Sequence, residues 1–322
     1  MSEALPQFQL SRPASIAEVV ATLKSHPDAR LCAGGTDLIV NMRRGLVETD
    51  MLVDLGKVAG LNQITETKKG LEIGAGVTLA DLIANKAVQT YTAVLEAAGA
   101  IAGPSHRQSA TVGGNLCLDT RCLYYNQSHW WRKSNNFCLK YKGDTCHVAP
   151  QGNRCRAAFS GDLAPALIVF GAEITLVGPD GTRRLKLADF YHEDGAAHLD
   201  LKPGEILTTV HLPKSNARSA YGKVRIREIM DFPLAGVALV CSGAKGDETL
   251  SVAVTGTNSM PLMVELTKAQ MLGADQDAFF AAINKDVQKS VSPQRTTTTG
   301  SHYRRLSIAA VAERLARELC LG

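Results

Sequence analysis

Ala33-Gly34-Gly35-Thr36-Asp37-Leu38 and, further along, Ala110-Thr111-Val112-Gly113-Gly114-Asn115-Leu116 are the stretches from which the fold can be read. In each, a glycine pair follows a short apolar run, and a threonine (Thr36, Thr111) stands beside it. Without a Cβ to block approach, paired glycines leave backbone N–H groups open to phosphate oxygens. Two such turns can grip a pyrophosphate from both sides, whereas one alone is more often only a tight turn. No G-x-x-x-x-G-K-[ST] occurs, and Gly74-Ala75-Gly76 lacks the third glycine of a dinucleotide fingerprint, so neither a P-loop nor a Rossmann unit is expected.

Around these turns the pattern alternates helix and strand. Ser15–Ser25 carries Ile16, Val19, Val20 and Leu23 at helical spacing behind a Ser15/Glu18 capping box. Ala29–Cys32 and Met51–Leu55 read as strands, with a short helix from Leu38 between them. Leu71–Ile73 is a strand, Thr78–Asn85 a capped helix, and Ala93–Ala102 a helix ended by Gly103-Pro104. Strands are expected at Glu173–Val177, before the turn Pro179-Asp180-Gly181, and at Ile206–Leu212. Beyond Pro213–Ser219 the style changes: Val237–Cys241 and Leu250–Thr255 read as antiparallel strands and Ile308–Cys320 as an amphipathic helix. A boundary near residue 216 is therefore expected, and the low-complexity Thr296–Thr299 reads as a mobile loop.

The chain has 322 residues, 45% hydrophobic and 20% charged, which is ordinary for a globular protein of two domains. Its longest apolar runs fall well short of the ~20 residues of a membrane helix. Met1–Leu10 shows no secretion signal, so a cytoplasmic protein is expected, without membrane partners. The net charge of +4 is too small to imply nucleic acid. Its distribution is uneven: Arg121, Arg132, Lys133, Lys140, Lys142, Arg154 and Arg156 face a single acid, Asp144, giving that stretch +6. Five of the eight cysteines fall in the segment Cys117–Cys155, a crowding that suits a metal better than disulfides in a reducing compartment.

The two glycine turns together resemble the FAD subunit shared by xanthine dehydrogenase, carbon monoxide dehydrogenase and their relatives. Ser160-Gly161-Asp162-Leu163-Ala164-Pro165 resembles that family's S-D-L-x-P segment, and Glu205-Ile206-Leu207 its E-I-L strand. Lys223 through Arg227 resembles its K-x-x-x-R stretch, and Ser301-His302-Tyr303-Arg304 its closing S-x-Y-R helix. The resemblance implies an α+β protein: a two-subdomain FAD-binding fold of the vanillyl-alcohol-oxidase type over residues 1–216, then a C-terminal α+β domain over 217–322. It implies that Arg30, Leu31, Cys32, Ala33, Gly34, Gly35, Thr36 and Asp37, with Thr111, Gly113, Gly114 and Asn115, hold the FAD pyrophosphate. Asp162 would meet the adenosine ribose region, and Leu207 and Lys223 would lie against the flavin or adenine; helix capping and a solvated lysine are the plainer roles for Asp162 and Lys223.

Most members of that family pass soon from the second glycine turn to S-D-L-x-P, whereas here about forty residues, 118–157, intervene. They hold Cys122, Cys138, Cys146 and Cys155, separated by 15, 7 and 8 residues. Four thiolates can bind zinc or an iron–sulfur cluster. The spacing lacks a C-x-x-C knuckle, yet His129 and His147 keep a mixed zinc site open. A flavoprotein has a use for a one-electron carrier, the aromatic residues nearby would exclude water, and the basic residues would offset cluster charge. Cys117 is left out as packing beside the second turn, and Cys32, Cys241 and Cys320 read as core thiols.

A flavin subunit with this insert resembles the medium (beta) subunit of the 4-hydroxybenzoyl-CoA reductase branch. That resemblance implies a [4Fe-4S] cluster and FAD as cofactors, ferredoxin as electron donor, and two partner subunits, a small one with [2Fe-2S] clusters and a large one with molybdopterin. The aromatic thioester would bind on the partner, so no catalytic acid, base or nucleophile is assigned in this chain. Two other readings stand beside it: an NAD-linked flavin subunit with a structural zinc insert, and a stand-alone flavoprotein. His106 and Arg107 remain without a role.

Overall fold

A computed structural model describes residues 4–243, 249–266 and 276–321. The first unit is a small parallel sheet formed by β1 (Gln9–Ser11), β2 (Arg30–Cys32) and β3 (Met51–Asp54), in the order β1-β3-β2. Helix α1 (Ile16–Ser25) covers it with Val19 and Leu23. Its capping box forms: the Ser15 hydroxyl accepts from the Glu18 N–H, and the Glu18 carboxylate accepts from the Ala14 N–H. The first glycine segment follows β2 directly and feeds α2 (Leu38–Arg43).

The second unit is a five-stranded antiparallel sheet, ordered β4-β5-β8-β6-β7. Its strands are β4 (Ile64–Thr67), β5 (Gly70–Gly74), β6 (Glu173–Gly178), β7 (Gly181–Lys186) and β8 (Ile206–Pro213). Between β5 and β6 the chain forms α3 (Leu79–Ala84), α4 (Thr92–Ala100), α5 (Pro104–Arg107), α6 (Val112–Leu116), α7 (His129–Ser134) and α8 (Leu163–Ile168). Helices α3, α4, α6 and α8 share the main core with this sheet through residues such as Ile73, Leu79, Val94, Leu116, Leu163 and Val210.

The third unit has strands β9 (Arg218–Val224), β10 (Ala235–Ser242), β11 (Thr249–Thr255) and β12 (Leu262–Met263), all antiparallel in the order β12-β11-β10-β9. On one face lie α9 (Gln276–Ser290) and α10 (Ser301–Leu321), packed on Val237, Leu239 and Cys241. The alternate residues Ala238 and Val240 turn the other way, into the main core. A strand covered on both faces carries a continuous apolar run, which is why Val237–Cys241 is so plain in the sequence. By contrast β1, β4 and β7 were not expected: they expose most of their residues and carry polar side chains.

Two expectations about local structure need correction. The second glycine segment is not an open turn but the start of α6, capped by Thr111, whose hydroxyl accepts from the Gly114 N–H at 3.0 Å. The threonine run is not a loose loop either. Thr296 is buried, its carbonyl accepts from the Leu123 N–H at 2.7 Å, and the buried Arg304 guanidinium donates to the Gln294 carbonyl and the Thr296 hydroxyl. Among the described residues no helix is long and apolar enough to cross a membrane.

Candidate functional site: a flavin-sized cavity beside a four-cysteine pocket

A cavity of about 970 Å³ opens between the first two units and is rimmed by the third. Every residue from Arg30 to Asp37 lines it, as do Thr111, Gly113, Gly114, Asn115, Asp162 and Leu207. Lys223 is absent from the lining.

The two glycine segments differ in kind. Among the described residues, the N–H groups of Gly34, Gly35, Thr36 and Asp37 find no hydrogen-bond partner. They form an open cradle of donors of the sort that holds phosphate oxygens. Gly35 sits at φ +68°, a conformation that favours glycine, and a Cβ on Gly34 would collide with the Ser109 carbonyl. In the second segment the donors are already engaged: Val112 N–H to Val77 O, Gly113 N–H to Ala75 O, Gly114 N–H to Thr111 Oγ1. That segment can serve a ligand chiefly through side chains. Asn115 Oδ1 accepts from the Leu163 N–H at 3.1 Å, which leaves its amide hydrogens as donors.

Asp37 is held by Arg121, whose guanidinium pairs with one carboxylate oxygen while Asn41 Nδ2 donates to the other at 2.9 Å. Arg121 also stacks over the Phe232 ring, 3.8 Å from its centroid. One arginine of the insert thereby ties the first glycine segment to the third unit. Asp162 stands at the N-cap position of α8 but makes no cap bond. Its carboxylate is buried, accepting from Tyr221 Oη at 2.7 Å and lying 2.9 Å from Lys223 Nζ. Burial pushes the Asp162 carboxyl above its ordinary range, against the opposing pull of Lys223. Lys223 also donates to the Ala100 carbonyl at 2.9 Å. Of the two residues left without a role, Arg107 is structural: it donates to the carbonyls of Gly99, Ile101 and Ala102 and closes the end of α4.

The insert brings its four cysteines together. Cys122, Cys138, Cys146 and Cys155 all line one small cavity, of about 10 Å³, with Tyr124, Tyr125, Lys140 and His147. Burial pushes the Cys122 thiol up and the Cys155 thiol to about 12, the Lys140 ammonium drawing the latter the other way. Non-glycine residues at positive φ flank Cys138: Asn136 (56°), Phe137 (56°) and Lys142 (56°). Such backbone persists only where its surroundings impose it. His147 Nε2 is taken up by the Phe137 carbonyl. Among the described residues, no group of three or more His, Cys, Asp or Glu side chains could hold a metal ion. The four thiols share one cavity, but as placed they do not form a ready ligand set either for a zinc ion or for a cluster.

Tyr125 and Lys140 line both cavities. Tyr125 Oη donates to the Leu46 carbonyl at 2.7 Å, and Lys140 Nζ reaches Asp119 at 2.7 Å and the Gly195 carbonyl at 2.7 Å. From the sequence Tyr125 was expected only as aromatic cover for the cysteines and Lys140, like Arg121, only as part of the basic run; neither was expected to line the large cavity. Cys117 and Cys32 line the large cavity, so Cys32 is not a core thiol, and burial pushes Cys117 up to about 12. Cys241 and Cys320 are buried, their sulfurs 3.7 Å apart.

The family of the molybdopterin dehydrogenase FAD-binding domain matches residues 6–215. The chain belongs to that family of flavin-binding proteins. Among its relatives, the aldehyde oxidoreductase FAD-binding subunit PaoB of Escherichia coli is 33% identical over 299 residues, 88% of this chain and 92% of the relative. The carbon monoxide dehydrogenase medium chain of Afipia carboxidovorans is 29% identical, covering 84% of this chain and 81% of its own. The solved structure of reconstituted CO dehydrogenase from Oligotropha carboxidovorans superposes with a TM-score of 0.78 at 26% identity, covering 98% of each chain. The α+β fold implied by the resemblance is the fold observed.

Proposed function

We propose that this chain is the electron-transferring FAD subunit of a hetero-oligomeric molybdenum hydroxylase. Its partners are a large molybdopterin subunit and a small [2Fe-2S] subunit, and its insert carries an additional [4Fe-4S] cluster. Residues 1–216 form the flavin-binding part and 217–322 the C-terminal domain that closes over it. Arg30–Asp37 supply backbone donors to the FAD pyrophosphate, Thr111 and Asn115 supply side-chain donors, and Leu207 gives apolar contact. In this reading Asp162 stands in the cavity wall and is paired behind it with the buried Lys223. A bound FAD supplies the passage between one- and two-electron steps.

The observation that carries the cluster is the convergence of four cysteines on one cavity that shares Tyr125 and Lys140 with the flavin cavity. The donor chemistry fits: four thiols, aromatic cover and a buried cation that offsets thiolate charge. The free volume, about 10 Å³, does not by itself accommodate a cluster.

The relationship to PaoB supports an aldehyde as the substrate class of the partner subunit, with electrons leaving through this chain. The reverse direction, 4-hydroxybenzoyl-CoA reduction fed by ferredoxin, is the second reading. The +6 insert favours it, since acidic carriers are steered by such a patch. Flavin, iron and acid-labile sulfide analysis of the purified protein, with its visible spectrum, tests the cofactors: flavin bands without iron or sulfide would remove the cluster. Mixing the assembled enzyme with an aldehyde, or with reduced ferredoxin over a range of salt, tests direction. Flavin bleaching by aldehyde supports the first reading, and a salt-sensitive rate from ferredoxin supports the second.

A further inference from the structure

Two cysteines that line neither cavity meet at the edge of the third unit. Cys241, near the end of β10, and Cys320, in the last turn of α10, are 79 residues apart in sequence, yet their Sγ atoms stand 3.7 Å apart. Both are buried, at 3% and 7% exposure, but the residues that follow them, Ser242 and Leu321, are exposed. Arg218, opposite Cys241 on β9, is exposed too, and its guanidinium donates to the Cys241 sulfur at 3.8 Å. The sulfurs need to close by only about 1.7 Å to reach the ~2.05 Å of a disulfide.

The place of the pair decides what a bond there would do. Helix α10 is anchored in its first turns by Arg304, which donates to the Leu234, Gln294 and Gly256 carbonyls. Midway it lies so close to β9 that a Cβ on Gly222 would strike Val311 and Leu315. Cys320 stands about 24 Å beyond Arg304 along the helix, at ~1.5 Å per residue. A bond to Cys241 would therefore fasten the far end of the helix that backs β9. That strand carries Tyr221 and Lys223, the partners of Asp162 in the wall of the large cavity.

We propose that Cys241 and Cys320 are an oxidisable dithiol, a modification site that hydrogen peroxide converts into a disulfide clasp between β10 and α10. One thiol attacks the peroxide O–O bond and gives its proton to the departing oxygen, leaving a sulfenic acid and one water. The second thiol displaces the sulfenic hydroxyl, which leaves as a second water as the S–S bond forms. Two thiols together lose two electrons, and one peroxide gains them. A dithiol reductant reopens the clasp, and no step depends on a bound flavin.

The test treats the reduced full-length chain with hydrogen peroxide, then alkylates and digests it without reductant. Mass spectrometry is expected to find the Cys241 and Cys320 peptides joined, two hydrogens lighter than the separate thiols, and parted again by dithiothreitol. Closing so long a loop of the unfolded chain is expected to raise the thermal midpoint by about 5 °C. Cys241→Ala and Cys320→Ala, each compared with its own reduced form, should show no such rise. Recovery of both cysteines as alkylated thiols, as separate sulfinic acids or joined to other cysteines would overturn the proposal. A rise that persists in both variants would overturn it as well.

Discussion

Lys223 Nζ lies 2.9 Å from Asp162 Oδ1, and both side chains are almost wholly sealed, at 4% and 3% exposure. The pair joins β9 of the third unit to the start of α8 in the second, with Asp162 in the wall of the flavin cavity. Removing one partner of a buried pair leaves an uncompensated charge, at a cost of about 3–5 kcal/mol. Lys223→Met is therefore expected to lower the urea midpoint markedly, and the double variant Lys223→Met/Asp162→Leu to recover much of it. Burial raises the Asp162 carboxyl above its ordinary 3.8, so the folded state keeps that proton to higher pH than the unfolded chain. Its contribution to stability thus falls as pH rises from 3.8 through the raised value. With the opposing cation gone that window widens, and Lys223→Met should regain stability relative to the parent on acidification. Unfolding curves from neutral pH down to about 5 would show it.

Gly34 leaves no space for a side chain, because a Cβ there would strike the Ser109 carbonyl. Gly34→Ala must push the first glycine segment off the loop before α6, at a cost of about 1–3 kcal/mol. The expected result is a folded protein purified largely without flavin. Gly45→Ala is the control: it is strained at φ +64° but has nothing within 4 Å, so stability falls modestly and flavin content does not. The flavin-to-protein absorbance ratio separates the two.

Arg121 connects Asp37 with Phe232 across the mouth of the cavity. Arg121→Ala frees the carboxylate next to the phosphate cradle and releases the Phe232 ring. FAD affinity is expected to fall about tenfold, the order of one charge-assisted contact. Titration of the flavin-free variant measures it, and far-ultraviolet circular dichroism should be unchanged.

Arg304 is fully buried and donates to the carbonyls of Leu234, Gln294 and Gly256 and to the Thr296 hydroxyl. Burial alone draws its guanidinium down to about 10. A lysine cannot reproduce the planar fork, so Arg304→Lys should cost about 3 kcal/mol. Because Thr296 holds the Leu123 N–H beside Cys122, the variant should also expose the insert. Faster alkylation of Cys122, followed by mass spectrometry, is the expected sign.

Cys138→Ser tests the second cavity directly. If the proposed cluster is bound there, the variant is expected to lose iron and sulfide while retaining FAD, since the donors of the flavin cradle lie on another segment. Iron retained in full would mean that Cys138 is not a ligand.

Several of these relationships were legible beforehand and others were not, for physical reasons. Strands β10 and β11 and helix α1 announce themselves because burial on both faces, or capping with helical spacing, writes a periodic apolar pattern. The edge strands β1, β4 and β7 carry no such pattern, since their outer faces meet water. The first glycine segment was read correctly as an open turn. The second was misread because paired glycines look alike in sequence, whether their N–H groups are free or are spent on Ala75, Val77 and Thr111. Thr296–Thr299 looked mobile because composition does not reveal that Arg304 and the insert grip it.

The amino-acid sequence by itself determined the family, its strongly periodic elements and the presence of four cysteines in a basic insert, because local chemistry and spacing are written along the chain. Only the tertiary structure decided that those cysteines share a wall with the flavin cavity through Tyr125 and Lys140, that Asp162 and Lys223 satisfy each other, and that Arg121 holds Asp37. Each of these joins residues distant in sequence, and burial, which sets the strength of such contacts, exists only once the units are packed.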